Sequence, residues 1–205
     1  MRKIFAIIVL ISLPAFAQSN ITIYSGITSD NLLLFPLFPE LAYHNGINIG
    51  VSSNFKIIKL LNLSPSFEYT SYQFKNLEPG ILLDQFGNNY GSSGEDNLKN
   101  YRLSLDIKII ESKPRPFRFF IYTGISYLIE DYPDIKTILN NENGTSTTEV
   151  IKLGKLYHFV HDIGLGFIID INKSIGLSFG TQYYSNYKDT FRYSLNGGIV
   201  YNFTN

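Results

Sequence analysis

Residues 191–203 read FRYSLNGGIVYNF, and their alternation decides the fold. Phe191, Tyr193, Leu195, Ile199, Tyr201 and Phe203 take every odd position except Gly197. Arg192, Ser194, Asn196, Gly198 and Asn202 take every even position except Val200. A period of two gives a strand one apolar face and one polar face. The rings sit at the two ends of the apolar face, as they do in a lipid-facing transmembrane strand that meets both membrane surfaces.

Seven further strands are expected upstream, over residues 21–28, 46–55, 61–74, 101–109, 117–130, 156–171 and 175–184. The strand over 101–109 is the cleanest of them: Tyr101, Leu103, Leu105, Ile107 and Ile109 face one way, against Arg102, Ser104, Asp106 and Lys108. Pro65 cannot donate to a ladder, so a bulge is expected there. The strand over 21–28 is short, and its seam with the last strand is expected to be soft. Residues 29–43, 75–97 and 131–155 read as long loops, each with more acidic than basic side chains, and 186–190 as a short one. Loop 29–43 is unusually apolar, and the Gly-rich piece 87–94 lacks the Gly-Lys-Ser/Thr ending of a phosphate loop. The other connections, at 56–59, 111–116 and 172–174, are short turns.

Long and short connections alternate, and the strand number is even. Those features describe a transmembrane antiparallel up-and-down β-barrel, all-β and of eight strands, with both termini in the periplasm. A soluble ligand-binding barrel would point its apolar face inward. Here the small residues (Gly50, Ser52, Gly124, Gly164, Gly166, Gly180 among them) would face inward, as a crowded interior needs. Aromatic residues collect at one rim (Tyr101, Tyr127, Tyr157, Tyr183, Phe191, Tyr193) and at the other (Phe55, Phe117, Tyr201, Phe203).

The first seventeen residues have a different character. Arg2 and Lys3 precede an apolar run over 4–13, then Pro14 and Ala15-Phe16-Ala17, the pattern of a secretory signal peptide cleaved after Ala17. The apolar run is too short to span a bilayer as a helix, which takes about 20 residues. Residues 1–17 are thus a leader and 18–205 the barrel domain. The 205 residues carry 17 basic and 17 acidic side chains and no cysteine. Without Arg2 and Lys3 the remainder is slightly acidic, which argues against a nucleic-acid partner. Zero cysteines exclude disulfides and thiolate metal sites.

The signal peptide, the eight alternating strands and the closing Tyr201-Asn202-Phe203 resemble the small OmpA/OmpX-type outer-membrane β-barrel family. The resemblance implies a Gram-negative outer-membrane location and a structural or surface-binding role. It implies lipid and lipopolysaccharide as surroundings, and recognition of the terminal Phe203 by the barrel-assembly machinery. Thr204 and Asn205, beyond that aromatic residue, depart from the family pattern.

Three sets of residues could carry chemistry. The inward charges Glu68, Arg102, Asp106, Lys108, Asp162, Asp170 and Arg192 form the best constellation, and folding 101–109 back on 61–74 brings Arg102 near Glu68. They read as an interior polar network that plugs the barrel, since eight strands leave room only for side chains or one small ligand; a proton or ion path through a narrow porin-like passive channel is the alternative. His158 and His161, three apart on a strand, point to opposite faces, so with His44 they read as rim residues. Tyr183-Tyr184-Ser185-Asn186 is similar to the His-x-Ser-Asn stretch of outer-membrane lipid A 3-O-deacylases. Tyr183 replaces the histidine and is no base near neutral pH, so that site would be degenerate. A monomer without catalysis, metal or cofactor is expected.

Overall fold

The computed structural model describes residues 19–29, 43–74, 77–83, 89–93, 97–111, 116–140, 146–152, 154–185 and 191–203. The leader expected over 1–17 and most of loop 29–43 lie outside them, as do 186–190. Twelve strands are seen among the described residues: β1 (Ser19–Ser29), β2 (Tyr43–Lys56), β3 (Leu61–Phe74), β4 (Leu77–Leu83), β5 (Asn89–Ser93), β6 (Leu98–Ile110), β7 (Phe117–Asp131), β8 (Ile135–Asn140), β9 (Ser146–Ile151), β10 (Lys155–Asp170), β11 (Ile175–Ser185) and β12 (Phe191–Asn202). Eight of them, in the order β1-β12-β11-β10-β7-β6-β3-β2, form a closed antiparallel barrel. Among the described residues no helix is long and apolar enough to cross a membrane, and closure is the other way to satisfy every backbone group in lipid.

The ring has a definite stagger. Following paired residues from Ser19 through Phe55, Leu63, Ile107, Thr123, Ile163, Tyr183 and Tyr193 leads back to β1 at Ser29. An offset of that size over eight strands tilts them by about 35–45° and leaves an interior only side chains wide.

Alternation places the apolar face outside. Ile23, Ile47, Leu105, Ile125, Ile163, Leu165 and Ile199 are all about half exposed or more, while Asn48, Ser64, Ser104 and Asp106 are buried. Two bands of rings bound this belt. Near the rim with long connections, Tyr127 packs against Phe159 at 5.2 Å and Tyr69 against Tyr101 at 5.3 Å. Near the short-turn rim, Phe167 packs against Phe179 at 5.4 Å and Tyr201 against Phe203 at 5.2 Å.

Three expectations need correction. Segments 75–97 and 131–155 are not plain loops: β4, β5, β8 and β9 lie in them and form a second sheet in the order β4-β5-β8-β9. Each follows or precedes the barrel strand of the same rank in β3-β6-β7-β10, so four adjacent strands extend past the rim. The Gly- and Asn-rich 87–94 contributes β5, where pairing with β8 overrides composition. Secondly, Pro65 makes no bulge. It pairs with Leu105 of β6, while the β2 ladder skips its partners and resumes at Phe55↔Leu63 in unchanged register. The missing N–H interrupts the ladder without adding a residue. Thirdly, β1 is not a short seam: it pairs with β12 continuously from Asn20↔Asn202 to Ser29↔Tyr193.

Inward glycines sit beside inward rings. Tyr24 stands opposite Gly50 on β2 and Gly198 on β12, and Tyr122 opposite Gly164. A Cβ on Gly198 would meet the Ile23 carbonyl at 2.5 Å and Tyr24 Cα at 2.9 Å, contacts that no side-chain rotation relieves. Gly198→Ala is therefore expected to lower stability by about 1–3 kcal/mol, read from urea unfolding in detergent micelles. An unchanged midpoint would mean that the β1–β12 backbone yields freely.

Candidate functional site

The interior is layered along the barrel axis. Deepest lies Arg102 on β6, 2% exposed, directly opposite Glu68 on β3. Its Nη2 is 3.1 Å from Glu68 Oε2 and donates to Gln182 Oε1 at 2.8 Å, and its Nη1 donates to Asp162 Oδ1 at 2.8 Å. Its guanidinium also stacks 4.7 Å from the Tyr184 ring. One cation thus meets groups on β3, β10 and β11. The Ser126 hydroxyl donates to the other Asp162 oxygen. On the far wall Asn48 Nδ2 donates to Thr28 Oγ1 at 2.8 Å and to Asn196 Oδ1 at 2.9 Å. A buried guanidinium is tolerated only with such partners.

Toward the long-connection rim, Glu130 at the end of β7 holds Arg192 Nη2 at 2.6 Å and His158 Nε2 at 3.0 Å. The Arg192 guanidinium lies 4.8 Å from the Tyr72 ring, and Tyr72 and Tyr184 share a hydroxyl contact at 3.4 Å. Buried Leu98, Leu128 and Val160 fill the rest of this end. At the short-turn end Ile110, Phe120, Ile168 and Val200 make an apolar disc inside the barrel. Beside it Arg118 donates bidentately to Asp170, Nε to Oδ2 at 2.6 Å and Nη2 to Oδ1 at 2.5 Å.

Between that disc and Arg102 lies a chamber of about 60 Å³. Hydroxyls of Thr22, Ser52, Ser64 and Ser178 line it, together with Asp106, Lys108 and the rings of Tyr24 and Tyr122. Lys108 Nζ rests 4.1 Å from the Phe120 ring centre.

The seven inward charges do not form one network. Glu68, Arg102 and Asp162 meet directly; Arg192 and Asp170 join separate clusters at opposite ends; Asp106 and Lys108 face the chamber. Glu130 and Arg118, which are not among those seven, complete the end clusters. Parity could have found them: Glu130 shares its face with Arg118, Gly124 and Ser126. The same parity puts Tyr24 and Tyr122 inside. His158 turns inward to Glu130, His161 is exposed on the other face, and His44 lies outside the residues whose side chains are described. Ser185 is 1% exposed and stands opposite His161 in the ladder.

With the geometry in hand, comparison with solved structures is informative about the fold. Neisserial surface protein A matches with a TM-score of 0.50 at 11% identity, covering 90% of this chain and 97% of that one. The N-terminal β-barrel domain of Pseudomonas aeruginosa OprF matches at 0.51 and 13% identity, covering 91% and 98%. This chain has the fold of the small eight-stranded outer-membrane barrels. No protein-family model and no curated protein matches the sequence.

Removing Arg102 would leave Glu68 and Asp162 as uncompensated buried charges. Arg102→Met should cost about 3–5 kcal/mol of unfolding free energy. Adding Glu68→Gln and Asp162→Asn should recover most of it. A triple variant as unstable as the single one would show that Arg102 acts through packing.

Proposed function

We propose that the protein is a monomeric structural or surface-binding barrel of the outer membrane, non-catalytic, with its interior closed to steady conduction. The observation that carries this reading is the stacking of seals along one axis: an apolar disc at one end, the Arg102 cluster at mid-height, and the Glu130–Arg192 cluster with Leu98, Leu128 and Val160 at the other. The chamber has room for roughly four waters, and the disc and the Arg102 cluster bracket it. A narrow channel would need both to part. In planar bilayers the reconstituted protein should give no steady conductance in concentrated KCl; a stable open level would overturn the closed reading and favour the passive channel.

Burial of Ser185 supports the absence of catalysis, since a serine nucleophile must be reachable by its substrate. Lipid A analysed by mass spectrometry should be the same with the wild-type gene and with Ser185→Ala. Loss of an acyl chain in the wild type alone would revive the hydrolase.

The start of β1 and the end of β12 lie together at the short-turn rim, with Asn20 paired to Asn202. We assign that rim to the periplasm, where the exposed Phe203 would meet the assembly machinery, and the extended β4-β5-β8-β9 sheet to the cell surface, among lipopolysaccharide. The chain has no cysteine, which makes orientation simple to test. Thr148→Cys on β9 should react with an impermeant maleimide on whole cells, and Lys173→Cys should not. The reverse pattern would invert the assignment.

A further inference from the structure

The turn between β2 and β3 reads Lys56-Ile57-Ile58-Lys59-Leu60, and all five residues are exposed. Ile57 is 56% exposed, Ile58 63% and Leu60 47%. Turns that leave a membrane for water favour Gly, Pro, Asn, Asp and Ser, each for a backbone reason. This turn has none of them. It is nonetheless held, because Ile57 N and Ile58 N donate to the Leu61 carbonyl at 2.9 and 3.2 Å and Leu61 N returns to Ile58 O at 3.1 Å. Its apolar side chains are presented at the rim by a fixed backbone.

The apolar surface also continues from the belt. Ile109, Phe119 and Ile171, at the same ends of β6, β7 and β10, are 49%, 65% and 61% exposed. Basic side chains flank it. Lys56 and Lys59 bracket the two isoleucines, and Lys173 is exposed in the β10–β11 turn. Lys56, Lys59 and Lys173 thus put positive charge on two of the turns at this rim. The long connections on the other side are acidic in sequence.

We propose that the short-turn rim is a docking surface for anionic phospholipid headgroups. Ile57, Ile58 and Leu60 lodge at the boundary between headgroups and acyl chains, while Lys56, Lys59 and Lys173 reach outward to the phosphates. Aliphatic stems of lysine lie along apolar surface and carry the charge to the interface. An apolar insertion combined with basic side chains is the combination that binds an anionic lipid surface. Continuity with the lipid-facing belt favours lipid over an acidic protein as the occupant. The proposal rests on the transmembrane reading of the barrel and is independent of which way the barrel faces in the cell.

The test uses the full mature chain in nanodiscs of phosphatidylcholine with and without phosphatidylglycerol. Native mass spectrometry should show phosphatidylglycerol retained in preference to phosphatidylcholine. The preference should fall by about fivefold for each lysine neutralised in Lys56→Gln, Lys59→Gln and Lys173→Gln. A bimane label at Ile58→Cys should be quenched by headgroup-proximal spin-labelled lipid. Folding of each variant is checked by its heat-modifiable migration. Equal retention of the two lipids, a folded triple variant with the wild-type preference, or a label that reports water would each overturn the proposal. Failure to enter nanodiscs at all would instead sink the transmembrane reading.

Discussion

The structure depends on closure of one hydrogen-bonded ladder. In hydrocarbon an unpaired N–H or C=O finds no water, so a spanning sheet must return to its first strand. Here β12 returns to β1 without a break from Asn20↔Asn202 to Ser29↔Tyr193. The stagger from Ser19 to Ser29 then fixes the tilt, and tilt with strand number fixes the radius. Once the radius is set, inward volume is no longer a free choice. Tyr24 fits because Gly50 and Gly198 flank it, Tyr122 because Gly164 faces it, and Asp106 because Gly124 faces it. The inward glycines are the spaces that the large side chains fill.

That filling explains why charge can be buried so deeply. Arg102 in a low-dielectric interior is favourable only when its donors are used, and Glu68, Asp162 and Gln182 approach it from three directions. Paired buried charges contribute little net stability compared with an apolar filling, yet breaking one is costly. What the arrangement does accomplish is to tie separate strands together: β6 to β3 beside it, and through the interior to β10 and β11, which are not its ladder neighbours. The apolar disc on one side, and on the other the Tyr72–Leu98 pair and the Leu128, Val160 and Tyr184 cluster, stand between this centre and the two ends, which keeps its interactions strong.

The fold was legible because a strand's period of two survives any local irregularity. Parity alone separates Leu103, Leu105 and Ile107 from Arg102, Ser104 and Asp106, and reflecting one strand on the next places Arg102 opposite Glu68. Contacts across the lumen were not legible. Whether Arg102 meets Asp162, and whether Arg192 meets Glu130, depends on the stagger of the whole ring, which no single strand records. The strands beyond the rim were hidden for another reason. β4 and β5 draw on Pro79, Gly80, Asn89 and Gly91, residues that favour turns when judged locally; pairing with neighbours already aligned by β3, β6, β7 and β10 outweighs that preference.

The same extension gives the barrel two unlike ends. Four adjacent strands, β3, β6, β7 and β10, carry a sheet past the rim, while β1, β2, β11 and β12 do not continue into it. A sheet outside the membrane has edges again, at β4 and β9, and edges invite further pairing. β4 limits this with Pro79, which cannot donate, and with an irregular register between Leu77 and Leu82. β9, with Thr147, Thr148 and Val150 exposed, has no such interruption. The short-turn rim has no edge to manage, since every barrel strand there is paired on both sides. Its chemistry is free to serve the interface instead, and Ile57 and Ile58 between Lys56 and Lys59 are what occupies that freedom.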